Sequence, residues 1–191
     1  MSGWRRLEEL APGDLSLARA TLAAFSPRDA DQAALRVRML AFVDEHEDAL
    51  LRSCLAGHLT ASALVLDARA ERGLLTLHAK LGRWLQLGGH CDGDGHLARS
   101  ALRECLEESG LPDLAVDPAP IDLDIHRIPA RAHEPEHWHL DVRFLVRAPA
   151  GARPRLSAES EDLRWFRPDE LSAIETDDSV RRLFALACAR R

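Results

Sequence analysis

A run of glycines that opens directly onto an amphipathic helix restricts the folding of this chain more than any other feature. Gly88-Gly89-His90-Cys91-Asp92-Gly93-Asp94-Gly95 is too glycine-rich for a long helix. The residues after it, from about His96 to Ser109, repeat apolar side chains at helical spacing until Gly110 and Pro112 end the pattern. Ala98, Ala101, Leu102 and Cys105 share one arc of that helix and suit it for packing on a sheet. Strand-like segments stand on both sides. Leu59 to Leu66 and Leu74 to Leu77, joined through the polar turn Asp67 to Gly73, predict a hairpin. A short strand is expected around Trp84 to Leu87, further strands at Ile121 to Ile128, Trp138 to Arg147 and Leu163 to Phe166, and a closing helix over Ser179 to Ala189. Strands, helix, strands, helix is the order of an α/β fold with a mixed sheet between helices.

From about Asp14 to Leu51 the apolar residues recur at helical spacing, as in Leu35, Val37, Leu40, Phe42 and Val43, with a break at Ser26-Pro27-Arg28-Asp29. Residues 1–56 therefore read as a helical N-terminal extension and 57–191 as the main domain. A chain of 191 residues, 46% of them hydrophobic, can bury one substantial core. Its net charge of -6 argues against a broad basic surface for nucleic acid, while a small anionic ligand in a local pocket stays allowed. Cys54, Cys91, Cys105 and Cys188 are widely separated, form no paired CxxC arrangement, and read as reduced thiols. The first residues hold no apolar core of signal-peptide length, and no apolar run approaches the roughly 20 residues of a membrane span. A soluble, cytoplasmic protein without membrane contact is the expectation.

The chemistry is concentrated in Arg103-Glu104-Cys105-Leu106-Glu107-Glu108. At about 100° per residue, Glu104, Glu107 and Glu108 stand in i, i+3 and i+4 relation and fall within one arc. Three clustered anions repel one another and gain little unless a cation sits among them. Hard carboxylate oxygens suit magnesium or manganese, which would also bridge to the phosphate oxygens of a substrate. The bland alternative is a solvated acidic face.

Gly89 followed by Arg103-Glu104-Cys105-Leu106-Glu107-Glu108-Ser109-Gly110-Leu111 resembles the signature box of the Nudix hydrolases, a glycine loop and then a helix reading Arg-Glu, apolar, any, Glu-Glu, any, Gly, apolar. The resemblance implies an α/β/α sandwich from about residue 57 to the end and leaves the N-terminal helices unexplained. It implies that the Gly89 carbonyl, Glu104, Glu107 and Glu108 bind Mg2+ or Mn2+, that Arg103 orients the glutamates, and that water attacks a phosphorus. The general base would be Glu104 or Glu159, the latter from the acidic segment Ser157 to Asp162 ahead of a strand. The substrate would be a small nucleoside diphosphate linked to another moiety. One departure stands out: the sixth position after Gly89, a glutamate in the family, is Gly95, and the neighbouring Asp94 is expected to substitute. Two other functions are open to such a fold. One is an isopentenyl-diphosphate-isomerase-like enzyme, which also carries a His-x-His-Leu-Asp type strand but needs a catalytic cysteine and glutamate, with Cys91 the nearest cysteine. The other is a sensor that binds a nucleotide or ADP-ribose without turnover.

Outside the box, Glu136 to Leu145 alternates with a period of two, so that His137, His139, Asp141 and Arg143 line one face and Trp138, Leu140, Val142 and Phe144 should enter the core. His139, Asp141 and Arg143 are expected near the substrate, with an ordinary solvated sheet face as the alternative. A zinc site made of His137, His139 and Asp141 alone is disfavoured, because alternate positions on one strand seldom converge without a ligand from elsewhere. His90 and Gln86 flank the glycine stretch and can reach the same pocket, with a structural role for the lone histidine as the alternative. Lys80, the single lysine of the chain, is a further expected phosphate contact, with a snorkelling surface lysine as the alternative. The apolar positions Leu35, Leu40 and Val43 need a cover, which is either the protein's own sheet or a second subunit; a homodimer that also walls the pocket is the expectation.

Overall fold

The computed structural model describes residues 3–79, 81–130, 135–156 and 160–190. Two helices come first, α1 (Leu15–Ala24) and α2 (Ala30–Glu45). The strands β1 (Gly57–Leu66), β2 (Gly73–His78), β3 (Arg83–Leu85) and β4 (Leu87–His90) lead into α3 (Leu97–Ser109), and β5 (Ala115–Ile128), β6 (His137–Arg147) and β7 (Ser160–Phe166) lead to α4 (Asp178–Ala189).

The sheet is mixed. β1 runs parallel to β6, with His58 beside His139 and Thr60 beside Asp141. Its other edge is divided between β2, at Val65 and Leu66, and β4, at Thr60 to Ala63. β5 pairs antiparallel with β6, and β2 carries β3 and β7. β1 is buried along its whole length, which is why it reads as an almost unbroken apolar run.

The two sides of this sheet bury different clusters. Leu59, Ala61, Ala63, Leu140, Val142 and Phe144 pack under α3 and the N-terminal helices, whereas Leu64, Leu66, Ile121 and Leu145 pack under α4 through Val180, Leu183 and Phe184. α4 covers only part of its side. Beyond it, toward the N-terminal end of β1, the same side is polar.

The hairpin and both C-terminal helices stand where the periodicity places them, but the glycine stretch differs. The strand expected at Trp84 to Leu87 is interrupted at Gln86, and Gly88, Gly89 and His90 continue as β4 instead of starting a loop. A side chain at Gly88 would lie 2.3 Å from the Ser62 Cβ, and its φ of +152° suits glycine, so a bare backbone here lets two strands meet. α2 also stops at Glu45 and gives way to turns, well before Leu51.

Asp14 and Asp29 cap α1 and α2 through their carboxylates, which accounts for the break at residues 26–29. Leu22, Met39 and Val43 are buried in the cluster that holds Leu59 and Val142, with Leu35 and Leu40 packed against it. The Gln32 amide donates to the Leu123 carbonyl and accepts from the Leu123 N–H, closing the outer edge of β5. The chain's own sheet therefore covers this apolar face, and no second copy is needed for that. Trp138 corrects another expectation: it lies 43% exposed near the start of β6, outside the core that Leu140, Val142 and Phe144 enter. Among the described residues no helix is long and apolar enough to cross a membrane. The four cysteines are free thiols.

Candidate active site

α3 is anchored by its apolar side, with Leu97, Ala98, Ala101, Leu102 and Cys105 buried, and is ended by Gly110 in the left-handed region. That anchorage sets Glu104 against β4. A Cβ added to Gly89 would lie 2.5 Å from the Glu104 carboxylate, so the bare backbone at this position is what admits the acid. Arg103 donates to the His90 carbonyl at 2.8 Å and pairs with Glu104 at 2.6 Å and Glu107 at 3.3 Å. It thus ties the helix to the strand while orienting two glutamates. Burial pushes the Glu104 carboxyl above its ordinary range; Arg103 pulls it back, and Glu107 and Asp92 push it up again.

The donor set fits a hard divalent cation. Glu104 is mostly buried beside a glycine whose backbone is open to it, and Glu107, one turn along the same helix arc, is exposed. The three carboxylates are splayed: among the described residues, they do not form a group of ligand atoms within 4.8 Å of one another, as certain histidines do.

The Gly95 departure has a steric cause. A Cβ there would lie 1.7 Å from the Asp14 carbonyl oxygen, and the Gly95 N–H donates to the Gly13 carbonyl. The N-terminal extension occupies the space a side chain would need. Asp94 supports the turn in its place, accepting from the N–H groups of Gly13 and His96 and from Arg99.

The polar side of the sheet is organised in rows set by strand register. His126, His139 and His58 lie side by side on β5, β6 and β1. Asp124, Asp141, Thr60 and His90 form the next row, and Asp122, Arg143, Ser62 and Gly88 the third. Asp141 is buried and accepts from Thr60, Ser62 and Arg143. Arg143 is 2% exposed and lies among Asp122, Asp124 and Asp141, while Arg28 and Arg182 reach Asp122 from outside. Burial works against ionisation of Asp124, but a bond to His126 and the charges of Arg143 and Arg182 hold its carboxyl down at about 2. Burial and the neighbouring His58, His126, His90 and His137 push the His139 imidazole down to about 2, so it is neutral.

Glu104, Arg103, Gly89 and His90 are therefore brought together at the β4 edge, with Glu107 and Glu108 on the same helix. His139 lies on the far side of the sheet with His90, and Asp141 and Arg143 sit behind them in a buried ionic network. Lys80 and Glu159 lie outside the described residues. His58 is a residue the sequence reading passes over, although the alternation His58-x-Thr60-x-Ser62 at period two was available to mark it.

Residues 57–187 match the NUDIX domain family. Among solved structures the fold is similar to a C. elegans Ap4A hydrolase in a binary complex (16% identity, covering 69% of this chain and 96% of that one, TM-score 0.56). It is also similar to the E. coli dihydroneopterin triphosphate pyrophosphohydrolase (14% identity, 70% and 96%, TM-score 0.55). A third similar structure is the NUDIX domain of Shewanella oneidensis NrtR complexed with ADP ribose (20% identity, 69% and 86%, TM-score 0.50). The chain belongs to the NUDIX family and is a Nudix-type hydrolase.

Proposed function

We propose that this NUDIX-family chain is a divalent-metal-dependent hydrolase that cleaves a phosphoanhydride bond in a nucleoside diphosphate linked to a nucleotide, a sugar or a similar group. The observation that carries this reading is the bare Gly89 backbone against the Glu104 carboxylate, locked by Arg103 to the His90 carbonyl. The Gly89 carbonyl, Glu104, Glu107 and Glu108 would hold magnesium or manganese. When bound, the ion supplies neutralisation of phosphate charge and a lower pKa for attacking water.

The chain's own residues do the rest. Arg103 keeps Glu104 over Gly89 and limits the repulsion between Glu104 and Glu107. Water oxygen bonds to phosphorus as the bridging oxygen leaves with the other phosphate, and the water proton passes to a glutamate, Glu104 or Glu159. Burial raises the Glu104 carboxyl, which makes its carboxylate the stronger proton acceptor. His90 and His139, across the β4 edge from the glutamates, are proposed to contact the part of the substrate that extends past that edge, with Asp141 and Arg143 fixing the sheet behind these two histidines; Lys80 is proposed as a further phosphate contact. One similar structure is named for Ap4A hydrolysis and another is complexed with ADP ribose, and both compounds are phosphoanhydrides on a nucleoside, which supports that substrate class. An isomerase built on Cys91 is less well supported, because that thiol is 1% exposed and burial pushes its pKa up, away from a reactive thiolate. We place the reaction in the cytoplasm, a reading that the four free thiols support. A homodimer is not required for it.

A panel of dinucleoside polyphosphates, nucleotide sugars and ADP-ribose, assayed with magnesium by release of phosphatase-sensitive product, tests this. Magnesium-stimulated release from at least one compound is expected. No release from any member by folded protein, with magnesium or manganese, would overturn the proposal.

A further inference from the structure

The histidines on the polar side of the sheet form a second cluster, separate from the glutamates. Gly89 faces α3 with Ala61, whereas His90, the next residue of β4, faces the opposite side with Thr60. There it meets His58 of β1 and His139 of β6, with ring centroids 4.9 Å and 5.2 Å from its own. One ring nitrogen from each of His58, His90 and His139 lies within 4.8 Å of the other two. A tetrahedral zinc site with Zn–N bonds of about 2.1 Å needs nitrogens about 3.4 Å apart, a contraction small enough for side-chain rotation.

We propose that His58, His90 and His139 bind one divalent transition-metal ion of the zinc type. Three observations carry this. The ligands come from three hydrogen-bonded strands, so the backbone fixes them before any ion arrives. Among the described residues, His139 Nε2 is buried with no hydrogen-bond partner, and a buried imidazole nitrogen in that state is ordinarily satisfied by something. His137 and His126 complete the surround: His137 lies 5.0 Å from His58 and 5.1 Å from His139, and His126 lies 5.4 Å from His139, between ring centroids. His137 Nδ1 is 2.9 Å from the Pro135 carbonyl and His126 Nδ1 is 3.0 Å from Asp124, contacts that hold each ring with Nε2 pointing away from its partner.

Ligand chemistry separates this site from the glutamates. Neutral imidazole suits zinc and its first-row neighbours, while carboxylate and carbonyl oxygen suit magnesium and manganese. Three protein ligands leave a further coordination position for water or a substrate phosphate oxygen, as in catalytic zinc sites. The objection raised by the β6 sequence alone, that its histidines need a ligand from elsewhere, is answered by His58 and His90.

The test uses the full chain, stripped with chelator and then dialysed against micromolar zinc, cobalt or magnesium, with bound metal read by elemental analysis and cobalt by its visible spectrum. About one equivalent of zinc per chain is expected, together with a cobalt spectrum of nitrogen-ligated low-symmetry type. The Glu104→Gln/Glu107→Gln double variant should retain both, which separates this site from the proposed hydrolytic one. His58→Ala and His139→Ala should each lower zinc occupancy at least tenfold. If either fails to fold, His90→Asn on the edge strand β4 serves the same purpose, with its folding checked by circular dichroism. Less than a tenth of an equivalent of zinc in the unaltered chain would overturn the proposal. So would zinc retained by folded histidine variants or lost in the glutamate variant.

Discussion

Asp122, Asp124 and Asp141 on one side of the sheet are drawn into one ionic network, whereas Glu104, Glu107 and Glu108 on the other share a helix arc with their carboxylates splayed. The aspartates are matched with arginines: Arg143 at the centre, Arg182 across Asp122 and Asp124, and Arg28 on Asp122. The glutamates share Arg103 between Glu104 and Glu107, and burial drives the Glu104 carboxyl up, whereas the Asp124 carboxyl is held down. A carboxylate trio neutralised by its own chain is a fastening. One in which burial, and after it a neighbouring glutamate, raises a carboxyl is the trio that the proposed function supplies with a cation.

The aspartate side breaks first. Arg143→Met should cost about 3 to 5 kcal/mol, because it leaves buried aspartates without their central partner. Denaturant unfolding measures this, and a neutral result would remove the distinction between the two trios. On the apolar side of the same strand, Val142→Ala should cost roughly 1 to 3 kcal/mol by the same measurement, since Val142 is fully buried under α3.

Magnesium sharpens the comparison. It should raise the melting temperature at pH 7, by about 1.4 kcal/mol of stability for each tenfold excess over its dissociation constant. The pH dependence carries opposite signs in the two trios. Folding raises the Glu104 carboxyl, so without metal its ionisation opposes the fold, a penalty absent below its ordinary 4.5 and established as pH rises through the higher folded value. Magnesium needs that ionised form, so its stabilisation should shrink as pH falls through the same window. The Asp124 contribution is present above its ordinary 3.8 and lost as pH falls toward about 2. A melting temperature indifferent to magnesium at pH 7 would contradict the glutamate half. The smallest effect belongs to Trp138→Ala, which should stay within about 0.5 kcal/mol because the ring is half exposed.

Much of this arrangement is legible in the sequence, for physical reasons. Helical period alone places the glutamates on one arc and Leu102 and Cys105 on another, and both assignments agree with what α3 buries. Strand alternation likewise puts His139, Asp141 and Arg143 on one face. It says nothing of what covers that face, so their burial among arginines that come from Arg28 and from α4 depends on contacts distant in sequence. The same limit hides the pairing of His58 and His90 with β6, and the reason for Gly95, which is the Asp14 carbonyl from the N-terminal extension. Trp138 leaves the core because alternation runs to the very end of a strand, whereas the core stops short of the start of β6.

In the proposed function the α3 glutamates are the catalytic acids and not a solvated face. Turnover of Glu107→Gln and Glu108→Gln at saturating magnesium, on whichever phosphoanhydride the unaltered protein cleaves, tests it most directly when paired with a thermal melt. A loss of about a hundredfold or more is expected in each, with melting nearly unchanged in the absence of metal. Near-normal turnover in both variants would contradict it.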